Sequence, residues 1–324
     1  VSSNSAIVSL VVNFFVGIGL GANVVIANAL GRDDRDMVEK TVHTAILLSV
    51  LGGILMAAFG EAIAHSLLSS LNVPEDVFDM ALTYLRIYFL GMPVILLYNF
   101  EAAIFRSVGD TKTPLLALAL SGVLNVLLNL FFVLVLKMTV DGVAIATVSA
   151  NAVSAVILFL KLLHTDRSIK LDLSKLRIDG KALGRILRIG VPAGIQSALF
   201  AISNVLIQSS INSFGDLVMS GNAAAGNIEG FVYITMNAFH QTTLNFVGQN
   251  LGAGKMDRVH KVVGIDLLLV TLMGLVTGLA AFHFGRSLLS IYITDSAEAI
   301  EYGITRMSFV CAPYFLCGLM DVMN

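Results

Sequence analysis

Nine stretches of this chain, near 5–29, 42–68, 78–105, 114–136, 142–163, 189–213, 221–247, 262–284 and 298–323, are each long and apolar enough to cross a bilayer. A helix needs about 20 predominantly apolar residues to span roughly 30 Å of hydrocarbon. Lipid supplies no hydrogen bonds, so only helices or closed barrels can span it. The runs lack the period-2 alternation of lipid-facing strands and are too long for them, so helices are expected. Composition agrees, at 56% hydrophobic and 13% charged residues; a soluble domain carries about a quarter charged residues. The fold expected is all-α and polytopic, with nine transmembrane helices.

Lysine and arginine set the topology. Sixteen of the 20 lie in alternate connections: Arg32, Arg35 and Lys40; Arg106 and Lys112; Lys161 through Arg188; and Lys255, Arg258 and Lys261. The intervening connections hold Arg86, Lys137, Arg286 and Arg306, together with acids such as Glu75, Asp76, Asp141 and Asp295. The positive-inside rule makes the first group cytoplasmic and the protein a multi-pass plasma-membrane protein. The net charge of −2 and the confinement of basic residues to loops give no case for nucleic acid.

The chain repeats itself. With a 221-residue offset and no gap, Leu30, Gly31, Asp36, Val38, Lys40 and Val42 match Leu251, Gly252, Asp257, Val259, Lys261 and Val263. After a one-residue slip, Arg86 matches Arg306 and Pro93 matches Pro313, and eight residues past each proline stands an acid, Glu101 or Asp321. The unit is read as six helices, giving two pseudo-symmetric bundles in parallel repeat, with the first helix and the last two of twelve lying outside this segment. The N-terminal bundle is expected at 1–163, a basic linker lying on the membrane surface at 164–188, and the C-terminal bundle at 189–324. Gly31 and Gly252 are read as permitting the tight turn out of the membrane. Pro93 and Pro313 are read as bending their helices. Gly17 and Gly21 are read as letting helices approach closely.

Polar side chains inside lipid are costly and mark cavities or helix contacts. Asn125 and Asn129 share one helical face, as do Thr147 and Asn151. The run 189–213 offers Gln196, Asn204 and Gln208, and the run 221–247 offers Glu229, Asn237, His240, Gln241 and Asn245. Glu101 and Asp321 recur at one distance from a proline; the plainer alternative is that both are hydrated near the cytoplasmic interface. The glycine-rich GIGLG and LGAGK lack the strand–turn–helix setting of a phosphate loop, and no Ser-His-Asp set, HExxH or CxxC pair occurs. Neither an enzyme, a cofactor nor a metal site is expected. Cys311 and Cys317 lie on opposed sides of a helix.

RSVGDTKTP at 106–114, LNVLLN at 124–129, GVAIATVSAN at 142–151, GVPAGIQ at 190–196 and FVGQNLGAGK at 246–255 resemble the multidrug and toxic compound extrusion (MATE) transporters, nearest a bacterial DinF-like branch. The resemblance runs through the whole chain in order. It implies two six-helix bundles facing a central cleft, alternating access, and export of organic cations or other amphiphiles against Na⁺ or H⁺ entry. It also implies a cation site at Asn125, Asn129 and Thr147, completed by an Asp on a first helix that this segment does not include. The family carries Asp where Asn129 stands, and that departure removes a titratable group. The family's carboxylate on the helix matching 189–213 is absent too, which leaves Glu229 and His240 as titratable candidates in the C-terminal bundle.

The function expected is therefore a secondary antiporter acting as a monomer in the lipid bilayer on a small amphiphilic or cationic substrate. A lipid-intermediate flippase is the first alternative; it needs a basic cleft, and no Arg or Lys is read at a helix centre. A structural or sensory membrane protein is the second.

Overall fold

The computed structural model describes residues 2–70, 75–294 and 296–324. Asp295 and the side chains of Glu75 and Asp76 lie outside the described residues. The helices are α1 (Ser2–Gly31), α2 (Arg35–Ser70), α3 (Glu75–Leu90), α4 (Met92–Ser107), α5 (Lys112–Leu130), α6 (Val140–His164), α7 (Gly180–Asn212), α8 (Asp216–Gly252), α9 (Met256–His283), α10 (Gly285–Tyr292), α11 (Ala297–Val310) and α12 (Phe315–Met323). A π-helical turn, Phe131–Val135, continues α5. No strand occurs among the described residues.

Six of the helices are long and apolar enough to cross a membrane, or eight spans if each of two bent pairs counts as one. The remaining run of the nine expected from sequence is α8. That helix has ample length, 37 residues, but Asn222, Glu229, Asn237, His240, Gln241 and Asn245 make it too polar to qualify by composition. Outward faces elsewhere are apolar: α5 exposes Leu115, Leu116, Val123, Val126 and Leu127.

The repeat is visible in the helix order. α8, α9 with α10, and α11 with α12 reproduce α1, α2, and α3 with α4. α3 and α4 meet at 48°, and α11 and α12 at 45°. Pro93 opens α4, and Pro313 lies in the break before α12. Proline removes a backbone donor and collides with the preceding turn, so both copies bend where expected. Each bend rests on a glycine: a Cβ on Gly274 would lie 2.6 Å from Phe315 Cα, and one on Gly53, its equivalent, would overlap Pro93.

The basic hairpins close differently from expectation. Gly31 and Gly252 are simply the last helical residues. The left-handed positions are Asp33, with φ 54°, and its repeat partner Gly254, with φ 70°. Asp33 N–H donates to Leu30 O and Asp34 N–H to Ala29 O; Gly254 N–H donates to Leu251 O and Lys255 N–H to Asn250 O. Both helices therefore end in the same Schellman pattern, which satisfies carbonyls left open at the terminus.

By contact the chain divides into two compact units, Val1–Ile202 and Ser203–Asn324. The division falls inside α7, not in the segment 164–188, because the first half of α7 docks on α1. A Cβ on Gly190 would lie 2.6 Å from Ile18 Cα, and one on Gly194 would lie 2.5 Å from Phe14 O. On α1, Gly17 and Gly21 have the same backbone-to-backbone approach. Small residues four apart on both helices let the backbones meet.

The segment 164–188 is docked on the first unit. Ile169 and Leu171 are buried in the unit's core beside Val38, Val42 and Leu162, while Leu173 is exposed. Ile169 enters from the turn that Lys170 N–H closes on Arg167 O. Leu171 N–H donates to Leu162 O, Asp179 N–H donates to Thr44 Oγ1 at 3.0 Å, and Lys175 pairs with Glu39 at 2.9 Å. Arg167 binds Asp110 at 2.8 Å. Partial burial pushes the Asp110 carboxyl up, but the Thr113 N–H and hydroxyl and the Arg167 guanidinium outweigh it, so it lies below the usual carboxylate range.

Gly194→Val should lower stability by about 1–3 kcal/mol through overpacking, read as a lower melting temperature in detergent. Gly122→Ala, where the added methyl meets nothing within 4 Å, should not lower it. Asp110 also predicts a pH dependence. A carboxyl held below its free value, about 3.9, stabilises the docked segment above that pH and loses the contribution as pH falls through the lower, folded value. Hydrogen exchange in residues 165–172 should therefore rise at acid pH, and Asp110→Asn should show that raised exchange already at neutral pH.

Candidate functional site

α8 packs against α9, α11 and α12, and the polar face that sets it apart from the other spans turns into these contacts. His240 stands twelve residues before the end of α8, roughly 18 Å along the helix. Its Nδ1 lies 2.6 Å from the backbone carbonyl of Asp321 on α12. A carbonyl only accepts, so Nδ1 carries the hydrogen and Nε2 is left to take up a proton. Asp321 Oδ2 is buried without a partner. On α9, Asp266 is buried, and its Oδ2 accepts from the Thr243 hydroxyl one turn beyond His240. Gln241 Oε1 and Asn245 Oδ1, one turn apart on α8, are also buried and unpartnered.

With His240 on the Asp321 backbone, Asp266 on Thr243 one turn away and acceptor oxygens unused, this stretch of α8, α9 and α12 suits exchange of one proton or one monovalent cation. No group of three or more His, Cys, Asp or Glu side chains that could hold a metal occurs among the described residues.

Glu229 belongs elsewhere. Arg306 of α11 donates to Glu229 Oε2 at 2.6 Å and to Asn222 Oδ1, and Asn222 passes its amide hydrogen to Gln208 Oε1 at 3.2 Å. Glu229 and His240 therefore sit in two separate polar clusters on one helix. The reading that no arginine reaches a helix centre is corrected: Arg306 lies well inside α11, held there because a carboxylate one helix away neutralises it.

In the first unit the structure brings together the three residues that the resemblance singled out. Asn129 Nδ2 donates to Asn125 Oδ1 at 3.0 Å, Asn125 Nδ2 to Thr147 Oγ1 at 3.4 Å, and Thr147 Oγ1 to Val143 O at 3.0 Å. Asn129 Oδ1 is buried and unpartnered. Ser121 Oγ to Ala150 O and Ser154 Oγ to Ala117 O clamp α5 to α6 beside this chain. The π-helical turn begins two residues after Asn129, a kind of distortion that recurs at functional sites. Gln196 is half-buried and Asn204 exposed on α7. Glu101 is fully buried, so the reading of it as a hydrated interfacial acid does not hold.

Asp266, Thr243, Asn222 and the pairing of Arg306 went unread in the sequence. For Asp266 a signal existed: it is the one acid within the run 262–284. Arg306 had been assigned to a loop because only its charge was weighed.

Comparison with known proteins supplies the context. The MatE family model matches residues 1–131 and 192–323. The probable multidrug resistance protein YoeA of Bacillus subtilis is 27% identical over an alignment covering 100% of this chain and 71% of that protein. The FAD transporter of Shewanella oneidensis is 22% identical, covering 86% of this chain and 63% of its own length. The solved outward-facing conformation of a multidrug resistance MATE family transporter superposes with a TM-score of 0.88 at 18% identity, covering 97% of this chain and 72% of the other.

The ion pair generates a prediction. Breaking a buried pair by removing one partner costs about 3–5 kcal/mol. Arg306 and Glu229 keep 27% and 22% side-chain exposure, so Arg306→Met should fall at the low end of that range. Combining it with Glu229→Leu should recover most of the loss in thermal unfolding.

Proposed function

The chain belongs to the MatE family, the MATE membrane transporters, and from that premise we propose that it works as a secondary antiporter. It exports organic cations or other amphiphiles by alternating access, driven by inward movement of H⁺ or Na⁺. The observation that carries this reading is the pair of acids, Asp266 and Asp321, that α9 and α12 bring to neighbouring turns of α8 at Thr243 and His240, both within apolar segments long enough to span a membrane. The names of relatives such as the Bacillus multidrug resistance protein support the substrate class.

The coupling ion must bind one conformational state more tightly than the other, because a ligand shifts an equilibrium only by its differential affinity. His240 favours the proton. Its Nδ1–H is fixed on the Asp321 carbonyl, so a proton taken up at Nε2 creates a cation beside α12 and one turn from the Thr243–Asp266 bond. Moving α12 against α8 would alter that environment, and the bend at Pro313 gives α12 a break about which to move. Asn125, Asn129 and Thr147 supply neutral acceptors and donors in the first unit, suited to hydrogen-bonding a substrate or a hydrated cation. The basic loops face the cytoplasm, and the working unit is a monomer in the plasma membrane.

A lipid-intermediate flippase would need free positive charge for an anionic headgroup. Arg306 is committed to Glu229, which leaves the antiporter the better reading.

The full-length protein in proteoliposomes should export ethidium when a proton gradient is imposed. Asp266→Asn with His240→Ala should abolish the gradient-driven component. Equal export with and without the gradient, or a double variant as active as the parent, would sink the proposal.

A further inference from the structure

Glu101 is a carboxyl group that nothing in the fold answers. It lies six residues from the loop end of α4 and is 0% exposed. Neither of its oxygens has a hydrogen-bond partner. On α1, which packs against α4, Asn23 is 1% exposed, and its amide nitrogen and oxygen are likewise unpartnered. The great majority of buried polar atoms are partnered, so four orphaned atoms on two adjoining helices require a reason.

No charge compensates Glu101. The elements packed against α4 are α1, α2, α3, α5 and α6. α1 contains no charged residue. α2 carries Arg35, Asp36, Glu39, Lys40 and His43 in its first turns, and there Lys40 binds Asp36, Glu39 binds Lys175 and His43 binds the Asp172 backbone. Farther along α2 are His65 and Glu61, and Glu61 pairs with Arg86 of α3, which also carries Asp79. Lys112 of α5, Asp141, Lys161 and His164 of α6, and Arg106 of α4 itself stand at helix ends. None of these pairs with Glu101.

The repeat shows what is missing. In the second copy the equivalent acid, Asp321, has His240 beside its backbone. The position equivalent to His240 in the first copy is Gly19, which packs on the ring of Phe100 with 3.6 Å to an added Cβ. The second copy therefore holds an acid with a base, and the first holds an acid alone. An ionised carboxylate without partner or water is strongly disfavoured in such a place.

We propose that Glu101 is a proton-binding site of the N-terminal unit. It is a neutral carboxylic acid while α1 and α4 pack as here. When that packing opens and water enters, the O–H bond breaks, the proton passes to water, and the carboxylate remains hydrated. Asn23, across from α4, supplies the amide that meets the group in the opened state. The use of this proton in transport rests on the antiporter reading; the protonation itself does not.

Infrared difference spectroscopy of the full-length protein, parent against Glu101→Gln, tests the site. The parent should show at neutral pH the C=O stretch of a protonated, weakly hydrogen-bonded carboxylic acid, shifted in heavy water. Glu101→Gln, nearly the same shape and neutral, should lack that band while melting at the parent's temperature. A spectrum unchanged by the substitution would overturn the proposal. If Glu101→Gln does not fold, carbon NMR of glutamate-labelled parent decides: a buried carboxylic acid signal sustains the proposal, and only carboxylate signals overturn it. Band loss on substitution without any gradient-driven export would overturn the antiporter reading alone. Export without the band would overturn this inference alone.

Discussion

Lipid offers no hydrogen bonds, so every polar atom in these helices must be answered by the protein or stay uncompensated. Most are answered locally. Thr41, Thr147, Thr271 and Thr277 return their hydroxyls to the carbonyl four residues back, and Ser121 and Ser154 cross from α5 to α6. The same constraint makes close backbone approach valuable, since apolar side chains gain little from one another that lipid tails do not provide. Gly17, Gly21, Gly190 and Gly194 join α7 to α1 on that principle, and Gly53 and Gly274 seat the two bent spans. Against this background the unanswered atoms stand out: Glu101, Asn23, Asn129, Gln241, Asn245 and Asp321.

The two copies share a scaffold and differ in chemistry. Their Schellman turns coincide under the 221-residue offset and their prolines after a one-residue slip, which shows how strongly backbone geometry is held at these points. Their polar contents do not coincide. The second unit has a charged pair, Arg306 with Glu229, and an imidazole bonded to the Asp321 backbone; the first has an amide–hydroxyl chain and a lone buried acid. Duplication supplies the fold twice, and a few substitutions such as Gly19 against His240 set the two copies apart.

Much of this was legible in the sequence. The apolar runs gave the helices because length and hydropathy suffice in lipid, and the prolines gave both bends because the missing donor acts locally. Asn125, Asn129 and Thr147 came together because an i, i+4 face meets the next helix in a hairpin. What was not legible depended on which helix lies opposite. Asp266 looks like an isolated anomaly until α8 brings Thr243 and His240 to it. Arg306 looks like a loop residue until Glu229 and Asn222 are found across from it. Glu229 and His240 read as one site because they share a helix, but three turns of rotation and rise send them to different neighbours. The docking of the linker has the same origin, since Ile169 and Leu171 could face lipid or protein equally well by pattern.

The account turns on His240 as a group whose protonation changes with the state of the transporter. Nitrogen NMR of the full-length protein labelled at histidine reads that state directly, with His240→Ala assigning the signal. His240 should differ in protonation between the substrate-free protein and the protein with tetraphenylphosphonium bound, with Nδ1 carrying its hydrogen in both. A His240 signal that holds one protonation state with and without the cation would contradict it.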